Sequence, residues 1–202
     1  MSALIYLNSA PANWLALRIF KKALSREPST QAADGLVEWC YEGAVADADP
    51  IELFARVFEL NREPYTYGNC VVAEEASRVI GKLHSYAWDD AAAVMPPDPH
   101  IPDERMAVID AMAPPTQSSW HIEAMAVLPE CQGRGLGRRF IDIAKSQARA
   151  KNFDLLSLHV FENNRGAIRL YEHCGFRAVD RAPIPDSLPM ADRGGSLLMV
   201  FP

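Results

Sequence analysis

Residues 120–139 read WHIEAMAVLPECQGRGLGRR and carry the most informative pattern in the chain. The alternation within 120–127 predicts a strand, and Pro129 then begins a turn. Gly133, Gly135 and Gly137 follow, between the strand and a helical pattern. Backbone N–H groups of such a loop can point outward together and bind an anion at the helix N-terminus. Basic residues lie beside the glycines, so the pattern predicts a pyrophosphate site; the alternative is a tight turn that binds nothing.

The pattern on the C-terminal side of the loop completes a βαβ unit. Leu136, Phe140, Ala144 and Ala148 recur at helical spacing and predict a helix to about Lys151. A strand is predicted over 155–161. A short helix is predicted over 164–173, ended by Gly175.

The spacing of the glycines decides between phosphate ligands. A P-loop requires Lys and Ser or Thr after its last glycine, whereas Arg138 and Arg139 stand there. A dinucleotide fingerprint requires G-x-G-x-x-G, which the glycines at 133, 135 and 137 do not give. Asp154 lies about 20 residues on, but it precedes its strand instead of ending it. Dinucleotide binding is therefore the weaker alternative.

The loop does fit the pattern Q/R-x-x-G-x-G, with Gln132, Gly135 and Gly137 at its fixed positions. A second block over 164–176, NRGAIRLYEHCGF, fits N-x-x-A-x-x-L-Y-x-x-x-G-F. In this order, and with one helix and one strand between them, the two blocks resemble the GNAT superfamily of N-acetyltransferases. Neither the first 70 residues nor the 89–119 segment resembles the family's shared core.

The resemblance implies an α/β (α+β) GNAT fold in one domain over residues 1–202. Its sheet is mixed and mostly antiparallel, with about seven strands flanked by helices. Two adjacent parallel strands, here 120–127 and 155–161, splay apart and admit the pantetheine arm of CoA.

The resemblance also implies acetyl-CoA as the cosubstrate and no metal. The main chain of Met125, Ala126 and Val127 would pair with the pantetheine amides and orient the acetyl carbonyl. Asn164 would reach the cofactor from the following helix. The pyrophosphate would be held by the loop residues Gln132, Gly133, Arg134, Gly135, Leu136, Gly137 and Arg138.

Three side chains are candidates for proton transfer. The motif places Tyr171 as the acid at the departing thiolate, since a phenol with a pKa of about 10 can donate there. The alternative is a core tyrosine. The acceptor amine must lose a proton before attack, and Glu123 and His121 project from one face of the strand that ends at the acetyl site. Burial would raise the pKa of Glu123 toward a useful range, while a rim position is the alternative for both.

The N-terminal part contains further predicted elements. A short strand is expected at 3–7 and a helix follows at 14–24. Asp49 and Glu52 form a capping pattern for a helix over 50–61. Residues 70–74 and 79–88 form a hairpin pattern. His84 on this hairpin and His159 on the later strand are expected to be structural.

The segment 89–119 is rich in proline and acidic residues. Prolines stand at 96, 97, 99, 102, 114 and 115. Between Asp89 and Asp110 the sequence has six carboxylates and a single arginine or lysine, Arg105. The segment is predicted to be a loop. It is either a solvent-exposed surface loop or a lid over a cationic acceptor.

Composition narrows the functional classes. A net charge of −6 argues against binding to nucleic acid or to an anionic membrane surface. The four cysteines have no metal or redox spacing, which favours unpaired thiols and a cytoplasmic location. The expected partner is a small-molecule or peptide amine, and a homodimer stays open. The alternatives to an N-acetyltransferase are a catalytically silent acyl-CoA-binding module and a nucleotide-binding regulatory domain.

Overall fold

The computed structural model describes residues 4–7, 35–59, 63–76, 78–89, 100–113, 116–185, 188 and 194–202. The strands are β1 (Leu4–Leu7), β2 (Cys70–Glu75), β3 (Arg78–Ala87), β4 (Ser119–Val127), β5 (Leu155–Phe161), β6 (Arg177–Pro183) and β7 (Gly195–Phe201). The α-helices are α1 (Leu36–Tyr41), α2 (Pro50–Glu59), α3 (Asp103–Met112), α4 (Leu136–Ala150) and α5 (Arg165–His173).

The strands form one seven-stranded sheet in the order β1-β2-β3-β4-β5-β7-β6. Its pairs are antiparallel except for the central pair of β4 and β5, which is parallel. The predicted mixed, mostly antiparallel sheet flanked by helices is therefore confirmed. The two C-terminal strands, β6 and β7, were not located from the sequence.

The parallel pair opens into a gap. Its ladder runs from Ser119 opposite Leu155 to Ile122 opposite Leu158 and ends there. Strand β4 nevertheless continues to Val127, and β5 continues to Phe161. The two strands separate beyond the ladder, as expected for the splayed centre of the sheet.

Helix α4 covers one face of the sheet centre and packs on β3, β4 and β5. Its predicted stripe is confirmed, because Leu136, Phe140, Ala144 and Ala148 are all buried in the main hydrophobic cluster. Helix α5 contributes to the same cluster. The ammonium group of Lys145 on α4 donates to the carbonyl of Cys174 just after α5, over 2.6 Å.

Most predicted boundaries in the N-terminal part agree with the structure. Asp49 caps α2, since its Oδ1 accepts a hydrogen bond from the N–H of Glu52 over 3.3 Å. The hairpin is present as β2 and β3, and the first strand as β1. The helix predicted over 14–24 lies outside the described residues, as do positions 60 and 61 of the second.

The loop prediction for 89–119 is wrong over its middle, which forms α3. Pro102 precedes the helix, and Asp103 and Glu104 occupy its first turn, where negative charge interacts favourably with the helix dipole. Because prolines flank this ten-residue helix on both sides, the sequence pattern indicated a loop. Its end packs against Ile184 and Leu188. None of the described helices is long and apolar enough to cross a membrane.

Candidate active site

The glycine loop exposes backbone at the start of α4. Gly133 and Gly135 have φ values of 72° and 80°, a conformation that other residues rarely adopt. A Cβ at either position would meet no atom within 4 Å, so open space lies in front of the main chain. The first N–H groups of a helix have no partner inside the helix. The loop and first turn of α4 can therefore accept a phosphate group on their N–H donors.

Two of the side chains around the loop, those of Gln132 and Arg134, form hydrogen bonds within the protein. Arg134 forms a bidentate pair with Glu75 of β2, with N–O distances of 2.6 and 3.1 Å. The amide of Gln132 donates to the carbonyl of Val127 over 3.2 Å. Arg138 is exposed on the first turn of α4. Leu136 is buried, so it can contribute only its main chain to an anion site.

The end of β4 presents main chain toward the gap. Met125, Ala126 and Val127 pair with β3 on one side. Their ladder with β5 has already ended at Ile122. Residues in a strand direct N–H and C=O groups to both sides in alternation, so the gap side of this segment offers donors and acceptors to an extended ligand with amide groups.

Asn164 has a local role that the motif did not reveal. Its Oδ1 accepts a hydrogen bond from the N–H of Ala167 over 3.1 Å and caps α5. Contact between Asn164 and a cofactor stays a prediction.

Glu123 lies in a β-bulge of β4. His84 pairs with Ala124 and Ser85 with Ile122, which leaves Glu123 without an opposite residue. Its Oε2 accepts a hydrogen bond from the phenol of Tyr86 over 2.7 Å. Burial raises the pKa of Glu123, while the Tyr86 hydrogen bond and Lys82 act in the opposite direction. Solvent still reaches 35% of the side chain, so the carboxylate is accessible to a substrate.

His121 lies beside Glu123, as the alternation of β4 predicted. Its Nε2 is 3.8 Å from Glu123 Oε2, and its Nδ1 is 2.9 Å from Ser157 Oγ. The ring packs edge-on to Trp88 with centroids 4.5 Å apart. Burial holds the pKa of His121 well below its usual value, and His159 and His84 lower it further. The imidazole is therefore neutral at physiological pH.

Tyr171 lies in the main hydrophobic cluster on α5 and packs against Phe176, with ring centroids 5.8 Å apart. Burial raises the pKa of Tyr171 to about 12, with a smaller contribution from Cys174. The phenol therefore keeps its proton at neutral pH and can act as a donor. A thiolate is less basic than the conjugate base of this phenol, since a thiol has a pKa of about 8.5, so Tyr171 can assist a departing sulfur by donating a hydrogen bond to it.

A model of the acetyltransferase (GNAT) family matches residues 31–176, which is more than half of the chain. The chain belongs to the GNAT family. The match begins earlier than the two motifs indicated, since it includes residues 31–70 and the 89–119 segment.

Relatives of this GNAT protein include a mycothiol acetyltransferase from Beutenbergia cavernae, 42% identical over 65 residues. That match covers 32% of the chain and spans only 22% of the relative's length. A crystal structure of an acetyltransferase is similar with a TM-score of 0.63 and 21% identity, covering 98% of this chain and 97% of that one. A GCN5-related N-acetyltransferase from Kribbella flavida has a TM-score of 0.58 at 18% identity, with coverages of 99% and 97%.

A further neighbour is yncA from Salmonella typhimurium, solved with its cofactor acetyl-CoA. Its TM-score is 0.57 at 15% identity, and the similarity covers 100% of this chain and 94% of that one. At these identities the structural neighbours establish that the GNAT fold is shared.

The sequence did not identify several polar residues around Glu123 and His121. Lys82, Tyr86 and Trp88 lie on one face of the predicted hairpin, so their alternation was a usable signal. Ser157 was hidden in an apolar strand pattern. His84 has the structural role expected of it, because its Nε2–H donates to the carbonyl of Pro64 over 3.0 Å and burial lowers its pKa to about 3.

Proposed function

We propose that this GNAT protein is an N-acetyltransferase that transfers the acetyl group of acetyl-CoA to an amine of a small molecule or peptide. One observation carries the proposal. Glu123 lies in the bulge of β4, two residues before the Met125–Val127 main chain that faces the gap between β4 and β5. A carboxylate with a raised pKa thus borders the groups available for an extended cofactor.

The residues around the gap fit acetyl-CoA. The open main chain at Gly133 and Gly135 and the first turn of α4 would hold the pyrophosphate, with charge from Arg138. Arg134 would contribute while still paired with Glu75. Main-chain groups of 125–127 would bind the pantetheine arm. When bound, the cofactor supplies an activated acetyl group in a thioester.

Glu123 acts as the general base toward the acceptor amine, and Tyr171 acts at the leaving sulfur. Glu123 accepts a proton from the ammonium group of the acceptor, which makes the nitrogen lone pair available. The nitrogen then forms a C–N bond to the acetyl carbon while the C–S bond breaks, and its remaining surplus proton passes to solvent. Tyr171 donates a hydrogen bond from its phenol to the leaving sulfur and keeps its proton, because its pKa of about 12 makes it a weaker acid than a thiol. The departing thiolate takes a proton from solvent.

Charge and cysteine chemistry support further parts of the proposal. Asp103 and Glu104 are exposed at the start of α3 and would attract a cationic acceptor. The four cysteines form no disulfide with one another, which supports a reducing compartment such as the cytoplasm.

The test is thiol release from acetyl-CoA with a panel of acceptors: a polyamine, an amino acid, an aminoglycoside and a peptide with an unblocked N-terminus. We expect turnover with at least one amine. Glu123→Gln should lower kcat on the order of 100-fold, the low end for loss of a general base. Glu52→Gln, at an exposed position in the first turn of α2, is the matched control and should keep full activity.

Two results would contradict the proposal. Tight binding of acetyl-CoA without turnover of any amine would indicate an acyl-CoA-binding module. Retention of NAD in place of CoA would indicate a nucleotide-binding regulatory domain.

A further inference from the structure

A buried chain of hydrogen bonds leads to His121 from the loop before β4. Ser119 Oγ donates to the carbonyl of Thr116 over 2.7 Å and lies 2.8 Å from Ser157 Oγ. Ser157 Oγ lies 2.9 Å from His121 Nδ1. Ser119 and Ser157 are both 0% exposed, so solvent cannot substitute for either partner.

The carbonyl at the start of the chain fixes the direction of every bond in it. A hydroxyl has one hydrogen, and Ser119 uses it on the carbonyl of Thr116, which can only accept. Ser157 must therefore donate its own hydrogen to Ser119. Its oxygen is then left to accept from His121, so Nδ1 of His121 carries the proton and Nε2 carries a lone pair.

That lone pair faces a second acceptor. Nε2 of His121 is 3.8 Å from Oε2 of Glu123. Oε2 is itself an acceptor, since Tyr86 donates to it. Two acceptor atoms at this distance with no hydrogen between them form an incomplete arrangement, which a group carrying at least two donors completes.

We propose that Ser119 and Ser157 are positioning residues that hold His121 in its Nδ1–H tautomer, so that Nε2 and Glu123 together bind the N–H groups of a primary ammonium. This inference rests on the proposed acetyl transfer. One N–H loses its proton to Glu123, and another donates a hydrogen bond to Nε2, which turns the nitrogen lone pair toward the acetyl carbon. The low pKa of buried His121 agrees with a hydrogen-bond acceptor that stays neutral.

The tautomer can be measured without any turnover. Histidine labelled with nitrogen-15 in the full chain gives long-range proton–nitrogen correlations that distinguish protonated from unprotonated ring nitrogens, and His121→Gln assigns the signals. We expect Nδ1 to carry the proton at neutral pH. A proton on Nε2 in the wild-type protein would overturn the inference.

Removing either serine should move the proton. In Ser157→Ala and in Ser119→Ala the chain no longer requires a proton on Nδ1, and an Nε2 proton gains Glu123 as its acceptor. The KM for the amine should then rise about tenfold, as for one lost hydrogen bond to a charged group, while the KM for acetyl-CoA stays unchanged. Ser119→Ala is the more informative variant because Ser119 does not touch His121.

Ser85→Ala is the matched control. Ser85 is equally buried on β3, but its hydroxyl donates to Gln147 on α4 over 3.0 Å. This variant should keep the wild-type tautomer and KM. If Ser119→Ala and Ser157→Ala both keep the Nδ1–H tautomer of His121, the positioning role is wrong, even when the enzyme is active. If no amine is acetylated, the proposed function fails while the spectrum still decides the tautomer.

Discussion

Replacing Tyr86 by Phe tests how the protein sets the proton affinity of Glu123. The phenol of Tyr86 donates to Glu123 Oε2 over 2.7 Å, a length typical of a bond to a charged acceptor. Such bonds contribute about 1.5–3 kcal/mol, and one pKa unit corresponds to about 1.36 kcal/mol. Water reaches 35% of the Glu123 side chain and replaces part of the lost bond. We therefore expect the pKa of Glu123 to rise by about one unit.

The assay is the pH dependence of kcat/KM for the amine at saturating acetyl-CoA. Glu123 must be ionised to accept a proton, so kcat/KM falls on the acid side of the profile as Glu123 becomes protonated. In Tyr86→Phe this acid limb should move about one pH unit upward, and the plateau should be retained. Stability should change in the same window. Burial already raises the pKa of Glu123 above its unfolded value, so stability falls as the pH rises through the folded pKa, and the variant extends this loss to higher pH.

Two controls make the result decisive. Tyr41→Phe alters a buried tyrosine of a separate cluster and should leave the acid limb in place. In a Glu123→Gln background, Tyr86→Phe should have no further effect on the limb. The reasoning is refuted if Tyr86→Phe keeps the wild-type limb while Glu123→Gln abolishes it.

Three more outcomes are expected. Gly135→Val should raise the KM for acetyl-CoA, because a branched side chain is strained at a φ of 80° and would occupy the space in front of the loop. Gly43 has a φ of 72° and equally open surroundings, so Gly43→Val should lose similar stability without a change in this KM. Tyr171→Phe should lower kcat on the order of 100-fold with little change in the Kd for acetyl-CoA, and wild-type turnover would return Tyr171 to a purely packing role. Combined neutralisation of Asp98, Asp103 and Glu104 should raise the KM for a polyamine and flatten its salt dependence, whereas unchanged kinetics with every amine would place these carboxylates outside the acceptor's reach.

Local patterns predicted the elements that bury a regular face. The stripe from Leu136 to Ala148 gave α4 because an amphipathic helix must direct one side into the core. The same logic failed for β6, whose residues are almost all exposed at the sheet edge and so carry no alternation. Helix α3 was missed for a related reason. This short, weakly patterned segment packs in two small clusters with α1, Ile184 and Leu188, and such contacts between distant residues cannot be predicted from local periodicity.

The sequence alone predicts the strand, the glycine loop and the helix after it, because periodicity and backbone conformation are properties of neighbouring residues. It also placed His121 and Glu123 on one face of β4, since side chains two apart in a strand share a face. The contacts of these side chains depend on the tertiary structure. Tyr86 and Ser157 reach them through the registers of β3 and β5, and the bulge at Glu123 exists only against β3. Contacts across strands depend on register, and register is set by the packing of the whole sheet.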